Sequence, residues 1–260
     1  LLMGMRFVLA AIVLAWFVPL PRGHFWALCW ISFIAATLQY GLTFSGLALM
    51  AATPAVLLVQ SEVIFGVIIA AILLGERPSL RQILGIVMAS CGVVVILGAP
   101  ALAGQWLGIG LVLSGALVWA FGQVLIRRLD GALGGFQLTA WIGVMAGPQM
   151  LLASCLIDGN PLPAIQAAPI EAWLTVIYLG VVMTAIGYSA WYYVLARYPV
   201  PMVMPVLLLL PVAAIFGAVT MLGEVPDLMV LAGGMVVIFG VGVVVVEPAC
   251  LLAWWRKKTG

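Results

Sequence analysis

Charge is what this sequence has least of. Of its 260 residues, 7% are Asp, Glu, Lys or Arg, whereas a soluble domain carries about a quarter. No water-facing surface can be built from so few charges, which excludes an ordinary soluble enzyme or binding module. Histidine occurs once, as His24, so neither a histidine proton relay nor a multi-histidine metal site is expected. The four cysteines, Cys29, Cys91, Cys155 and Cys250, are scattered through apolar segments without metal-ligand spacing and read as small buried hydrophobes. Both lysines, Lys257 and Lys258, stand at the carboxyl end. A Gly-x-x-x-x-Gly-Lys-Ser/Thr phosphate loop is therefore absent, and an ATP-driven pump would need a separate subunit. HExxH and CxxC are missing too, as is any Ser/His or paired-Asp arrangement suited to hydrolysis inside a bilayer. The expectation is a protein that is not an enzyme and uses no cofactor, metal or nucleic acid.

Apolar residues fill the space instead. They make up 66% of the chain, and the mean hydropathy is +1.31. The apolar stretches run to about 20 residues, the length that crosses a ~30 Å hydrocarbon core at about 1.5 Å per helical residue. A membrane β-barrel would need strands of about ten residues with alternating polarity, and these blocks are continuously apolar. A cleaved signal peptide does not fit, because no small-residue cleavage site leads into a polar mature chain. The sequence predicts an all-α polytopic membrane protein. Its nine spans are Met3 to Leu20, Phe25 to Leu47, Pro54 to Leu74, Ile83 to Leu97, Trp106 to Leu125, Phe136 to Ile157, Ala172 to Ala196, Pro201 to Leu222 and Leu228 to Val246.

Basic residues in short loops mark the cytoplasmic side. Arg22, Arg77 with Arg81, Arg127 with Arg128, Arg197, and the group Arg256, Lys257 and Lys258 fall at every second boundary, and the alternate loops hold no Lys or Arg. Arg6 alone disagrees, at the start of the first span. Trp254 and Trp255, just before the terminal basic group, read as an interfacial anchor.

The phrase LLGERP at Leu73 to Pro78 returns as MLGEVP at Met221 to Pro226. A shift of 148 positions superimposes Gly75 and Glu76 on Gly223 and Glu224, and also pairs Tyr40 with Tyr188, Ala48 with Ala196, Gly85 with Gly233 and Gly92 with Gly240. The first copy falls on the cytoplasmic side and the second outside. This predicts two repeats of opposite orientation, a build common among transporters. The expected domains are residues 1–100, residues 101–250, and a basic cytoplasmic tail at 251–260. Under this shift the span Trp106 to Leu125 has no partner. The expectation is a further helix ahead of Leu1 in the natural protein, giving ten spans with both termini inside.

These features resemble the drug/metabolite transporter superfamily, in the branch with the EamA-type domain. The matching residues are MRF at Met5 to Phe7, GER at Gly75 to Arg77 followed by GIVMASCGVVVIL from Gly85, and WAFGQVLIRRL from Trp119 to Leu129. The resemblance covers essentially the whole chain. It implies a basket of ten helices around a central cavity lined by the spans containing Tyr40, Glu62, Trp119, Tyr188 and Met204. The aromatic residues of those spans favour the aromatic amino-acid exporters within the superfamily.

Glu62 is the one acidic residue well inside a span. A charge at that depth costs about 2.5 to 3.5 kcal/mol on an insertion scale and faces a cavity or a partner. Glu62 is a candidate for a substrate-amine partner or for proton coupling; the alternative is structural glue between helices. Gln60 lies two residues away, about 200° around a helix, so the two cannot both point squarely into one cavity. Tyr40, Trp119, Gln123, Tyr188, Trp191 and Tyr192 complete the candidate substrate-binding set, with helix packing as the alternative reading for each. Trp119 and Gln123 are four residues apart and share a face, offering a stacking surface and an amide to one ligand. Pro205 and Pro211 interrupt their span and are candidate hinges. Their counterparts are Leu57 and Val63, which predicts a one-sided hinge. Glu76 and Glu224 are expected to fix helix ends.

The expected function is a secondary transporter of the bacterial inner membrane that exports aromatic or neutral amino acids by alternating access. Efflux of drug-like compounds or other small metabolites is the alternative within transport. A non-transporting scaffold or integral membrane enzyme is the rival from another class. The expected partners are a small-molecule substrate and the lipid bilayer.

Overall fold

The computed structural model describes residues 1–50, 52–97, 105–129, 131–157, 159–222 and 228–246. Among the described residues the chain is helical and contains no strand. A bilayer offers no water to hydrogen-bond the backbone, so a spanning segment must satisfy its own N–H and C=O groups, and a helix does so. The longer helices are Phe25–Leu47, Trp106–Arg128, Gly135–Ile157, Ile170–Leu195 and Leu228–Val245. Leu2–Leu14, Ser61–Leu73 and Leu80–Leu97 are shorter. The remaining span runs as Val200–Val203, a 3-10 stretch Met204–Leu209, and Leu210–Leu222. Six helices among the described residues are long and apolar enough to cross a membrane.

Two readings need correction. The span expected from Met3 to Leu20 is helical only to Leu14, followed by a 3-10 turn at Ala15–Phe17; Pro19 and Pro21 cannot continue it. Cys91 and Cys155 are exposed and Cys29 is half-buried, against the expectation of buried cysteines. In a bilayer, lipid solvates apolar side chains, so an apolar residue need not be covered by protein. Cys250, Glu224 and the Trp254 to Lys258 anchor lie outside the described residues.

The chain divides into two compact units, Leu1–Phe44 with Val118–Tyr198, and Ser45–Leu117 with Pro199–Gly260. Each draws helices from both halves of the sequence. In the first, Leu2–Leu14 packs along Gly135–Ile157 and against residues Tyr178–Tyr188, with Ala10, Leu14, Ala140 and Ala185 at the core. Small residues let these backbones approach, the usual device where lipid removes the hydrophobic drive between helices.

In the second unit the Leu80–Leu97 and Leu228–Val245 helices run together. A Cβ on Gly85 would lie 2.7 Å from the Gly240 carbonyl oxygen, and one on Gly92 would lie 2.8 Å from that of Gly233. Gly240 and Gly233 meet the carbonyls of Gly85 and Gly92 in return, at 2.8 and 3.0 Å. The helices are therefore antiparallel, with glycine seated on glycine at two levels.

The first copy of the repeated phrase has a clear local role. Gly75, at φ +70°, ends the Ser61–Leu73 helix in the left-handed conformation that glycine adopts without strain. The turn carries Glu76 back to the start of the Val200–Val203 helix, where its Oε2 accepts the Val200 N–H at 2.6 Å. A carboxylate there satisfies an orphan donor and complements the helix dipole. Arginines serve the opposite ends. Arg81 donates to the carbonyls of Val246 and Val244, and Arg127 to that of Ala196 at 2.7 Å.

Candidate functional site

Six of the eight candidate substrate-binding residues lie in the first unit, on three helices. Tyr40 and Tyr188, predicted to correspond under the 148-residue shift, meet directly with hydroxyls 3.2 Å apart. Phe7 packs edge-on against Tyr40, Phe44 stacks on it, and Tyr192 lies beside Tyr188 with ring centroids 5.6 Å apart. Tyr188 ends a widened stretch of backbone and Tyr40 follows another by two residues. Residues Phe33–Leu38 and Tyr178–Tyr188 form π-helical turns, a geometry often found at functional positions. Its register is visible in Thr184, whose hydroxyl donates to the Leu179 carbonyl five residues back at 2.8 Å.

Trp119 and Gln123 do share a face, and Trp191 joins them from the Ile170–Leu195 helix. The two indoles lie 6.2 Å apart at 33°, and Trp191 Nε1 donates to Gln123 Oε1 at 2.8 Å. An indole N–H can only donate, so this bond fixes which amide atom is oxygen. Gln123 is fully buried, and its Nε2 has no hydrogen-bond partner among the described residues. A buried amide donor left open in this way is unusual and calls for an explanation.

Gln60 and Glu62 belong to the second unit. Both are buried at 8% exposure. Gln60 Nε2 donates to the Leu207 carbonyl at 3.4 Å. That oxygen also accepts the Leu210 N–H of the 3-10 turn, since Pro211, four residues on, has no N–H to give it. Leu207 sits inside the 3-10 stretch Met204–Leu209, which contains Pro205 and ends two residues before Pro211, so the α-helix is interrupted at the prolines. The first half is interrupted as well, at Gln60, between Ala52–Val59 and Ser61–Leu73. The backbone break is thus two-sided, although only one side carries proline. No hydrogen bond or ion pair from a described residue engages Glu62.

Arg6 is the residue that sequence reasoning missed. Noted only as the basic residue that breaks the charge pattern at the start of the first span, it is 8% exposed within the Leu2–Leu14 helix. Its Nε donates to Thr184 Oγ1 at 3.0 Å, and its guanidinium carbon lies 5.2, 5.5 and 5.7 Å from the ring centroids of Phe7, Tyr40 and Tyr188. The signal was present: a lone arginine in an apolar run meets the same criterion that singled out Glu62.

A profile of the EamA-like transporter family matches residues 1–98 and 106–246. The chain belongs to this family. Among the curated relatives of this EamA-like transporter is a protein named probable amino-acid metabolite efflux pump from Salmonella typhimurium, 29% identical over 92% of this chain and 83% of its own length. Another is named probable terminal-alkyne amino-acid exporter, from Streptantibioticus cattleyicolor, 32% identical over 71% of this chain and 61% of its own length. A solved crystal structure superposes with a TM-score of 0.80 at 21% identity, covering 94% of this chain and 86% of that one; it shares the fold. The EamA-like transporter is therefore a multi-pass membrane protein of a small-molecule transport family.

Proposed function

We propose that this EamA-like transporter exports amino acids, aromatic or neutral ones, across the bacterial inner membrane by alternating access. The observation that carries the reading is the buried Gln123 amide, held by Trp191 and flanked by Trp119, with one donor unused. An amino acid needs a few polar anchors in an otherwise apolar wall, and this arrangement offers both. The names of the relatives support the substrate class. The tyrosine and tryptophan rings support an aromatic side chain.

Alternating access follows from the proposal that residues 1–100 and 101–250 are inverted repeats. Two contacts support it. Tyr40 and Tyr188 are equivalent under the 148-residue shift and touch each other. Gly85 touches Gly240 and Gly92 touches Gly233, the crosswise pattern that a two-fold axis imposes on equivalent positions. In this reading the loops bearing Arg22, Arg77, Arg127 and Arg197 face the cytoplasm, Pro205 and Pro211 mark the flexing segment, and Glu62 carries a coupled proton. Counterflow of labelled phenylalanine into proteoliposomes preloaded with unlabelled phenylalanine tests the function. Accumulation above empty liposomes is expected; none from folded protein, with any proteinogenic amino acid, would refute amino-acid export and favour a drug-like or other metabolite substrate.

A further inference from the structure

The exporter reading assigns no role to Arg6, yet its surroundings define a ligand. Thr184, the residue it donates to, lies 14 residues from Ile170 and 11 from Leu195 in the Ile170–Leu195 helix. At about 1.5 Å per residue Thr184 is roughly 15 Å or more from either end of that helix, so the guanidinium is held beside the middle of an apolar helix long enough to cross a membrane. An arginine keeps its charge there, and a charge at that depth persists only with a partner or a function.

Among the described residues no carboxylate partners it. The only acidic residue described in this unit is Glu171, exposed and 13 positions from Thr184, and no ion pair to Arg6 exists among the described residues. The guanidinium is met instead by the Thr184 hydroxyl, by the soft sulfur of Met3 at 3.5 Å, and by the three ring faces. These hold a cation in place without neutralising it. Beside it, the Tyr40 and Tyr188 hydroxyls share one hydrogen bond. Two hydroxyls carry two protons and one bond uses one, so among the described residues the pair keeps a donor free. A planar cationic fork with an adjacent hydroxyl donor matches a carboxylate and disfavours an ammonium.

We propose that Arg6 receives the carboxylate of the transported amino acid, with the Tyr40–Tyr188 hydroxyl pair donating beside it. This rests on the export reading above. The site then selects amino acids over amines and amides of the same side chain.

The test is inhibition of phenylalanine counterflow by unlabelled phenylalanine and by phenylalaninamide, which keeps the ring and the amine and loses the anionic group. Wild-type protein should prefer the acid by about tenfold or more, the size of one charge-assisted contact. In Arg6→Gln, counterflow of the acid should fall by a similar factor and the preference should collapse to within about twofold. Arg6→Lys, with the charge but not the fork, should retain part of the preference. Equal handling of acid and amide by wild type would overturn the proposal even if a substituted protein failed to fold, as would a full preference persisting in Arg6→Gln. Both results leave export standing, because phenylalanine still moves. Absence of counterflow for every amino acid would bring down the export reading and this proposal together.

Discussion

Trp191 donates its indole N–H to Gln123 Oε1 at 2.8 Å across 68 residues of sequence. The bond does more than join two helices. By occupying the oxygen it fixes the amide, so that Nε2, the atom without a partner, is held in one direction. Gln123→Leu should leave the indole N–H unpaired and lower stability by about 1–3 kcal/mol, read as a fall in the melting temperature of detergent-solubilised protein. Trp191→Phe leaves the buried Gln123 Oε1 without its donor and should cost a similar amount. If the amide also binds substrate, Gln123→Leu raises the half-saturation concentration for counterflow more than Trp191→Phe does.

Glu62 is buried with no described hydrogen-bond or ion-pair partner, which suits a group whose partner comes and goes. Glu62→Gln should leave phenylalanine counterflow, an exchange needing no net driving force, close to wild type. Net export driven by an imposed pH gradient should drop to the level seen without the gradient. Gradient-driven export that survives the substitution intact would remove Glu62 from coupling.

Pro211 denies the Leu207 carbonyl the N–H an α-helix would give it; the Leu210 N–H takes that place, with Gln60 Nε2 as a second donor from another helix. Pro211→Ala restores the N–H and should stiffen the segment. The expected result is a lower maximal rate of counterflow with the half-saturation concentration changed by less than about twofold, since flexing sets turnover rather than binding. An unchanged rate would show that this break is structural only.

The packing of Leu80–Leu97 on Leu228–Val245 depends on glycine at specific positions. A Cβ at Gly92 would fall 2.8 Å from the Gly233 oxygen and 2.7 Å from Val237 Cγ2. Gly92→Ala should force the helices apart and destabilise by about 1–3 kcal/mol. Gly242, in the same pair, has open space around its Cβ position. Gly242→Ala should be neutral or stabilising by up to about 1 kcal/mol. Thermal melts of the two variants side by side separate packing from helix propensity.

Much of this was legible in the sequence, for identifiable reasons. Span positions follow from runs of apolar residues, because the bilayer imposes length and composition together. Trp119 and Gln123 share a face because helical spacing is local. The pairing of Tyr40 with Tyr188 was foreshadowed by the 148-residue shift. The π-helical turns at Phe33–Leu38 and Tyr178–Tyr188 leave no mark in composition, since they change hydrogen-bond register rather than residue type. The Trp191–Gln123 and Gln60–Leu207 bonds join distant residues and no local rule finds them. Arg6 was left out of the candidate site because it was weighed only against the loop-charge pattern, which it breaks, and not as a charge inside an apolar span.

The glycine contacts bear on how this protein can change over generations. Where two side chains collide, shrinking one rescues enlargement of the other, and suppressor mutations arise at the partner. Between Gly92 and Gly233 the obstacle to a larger residue includes a backbone carbonyl, which no codon change removes. A selection for second-site suppressors of a Gly92 substitution should therefore recover few or none at position 233. At this seam the glycines of each helix are constrained by the main chain of the other.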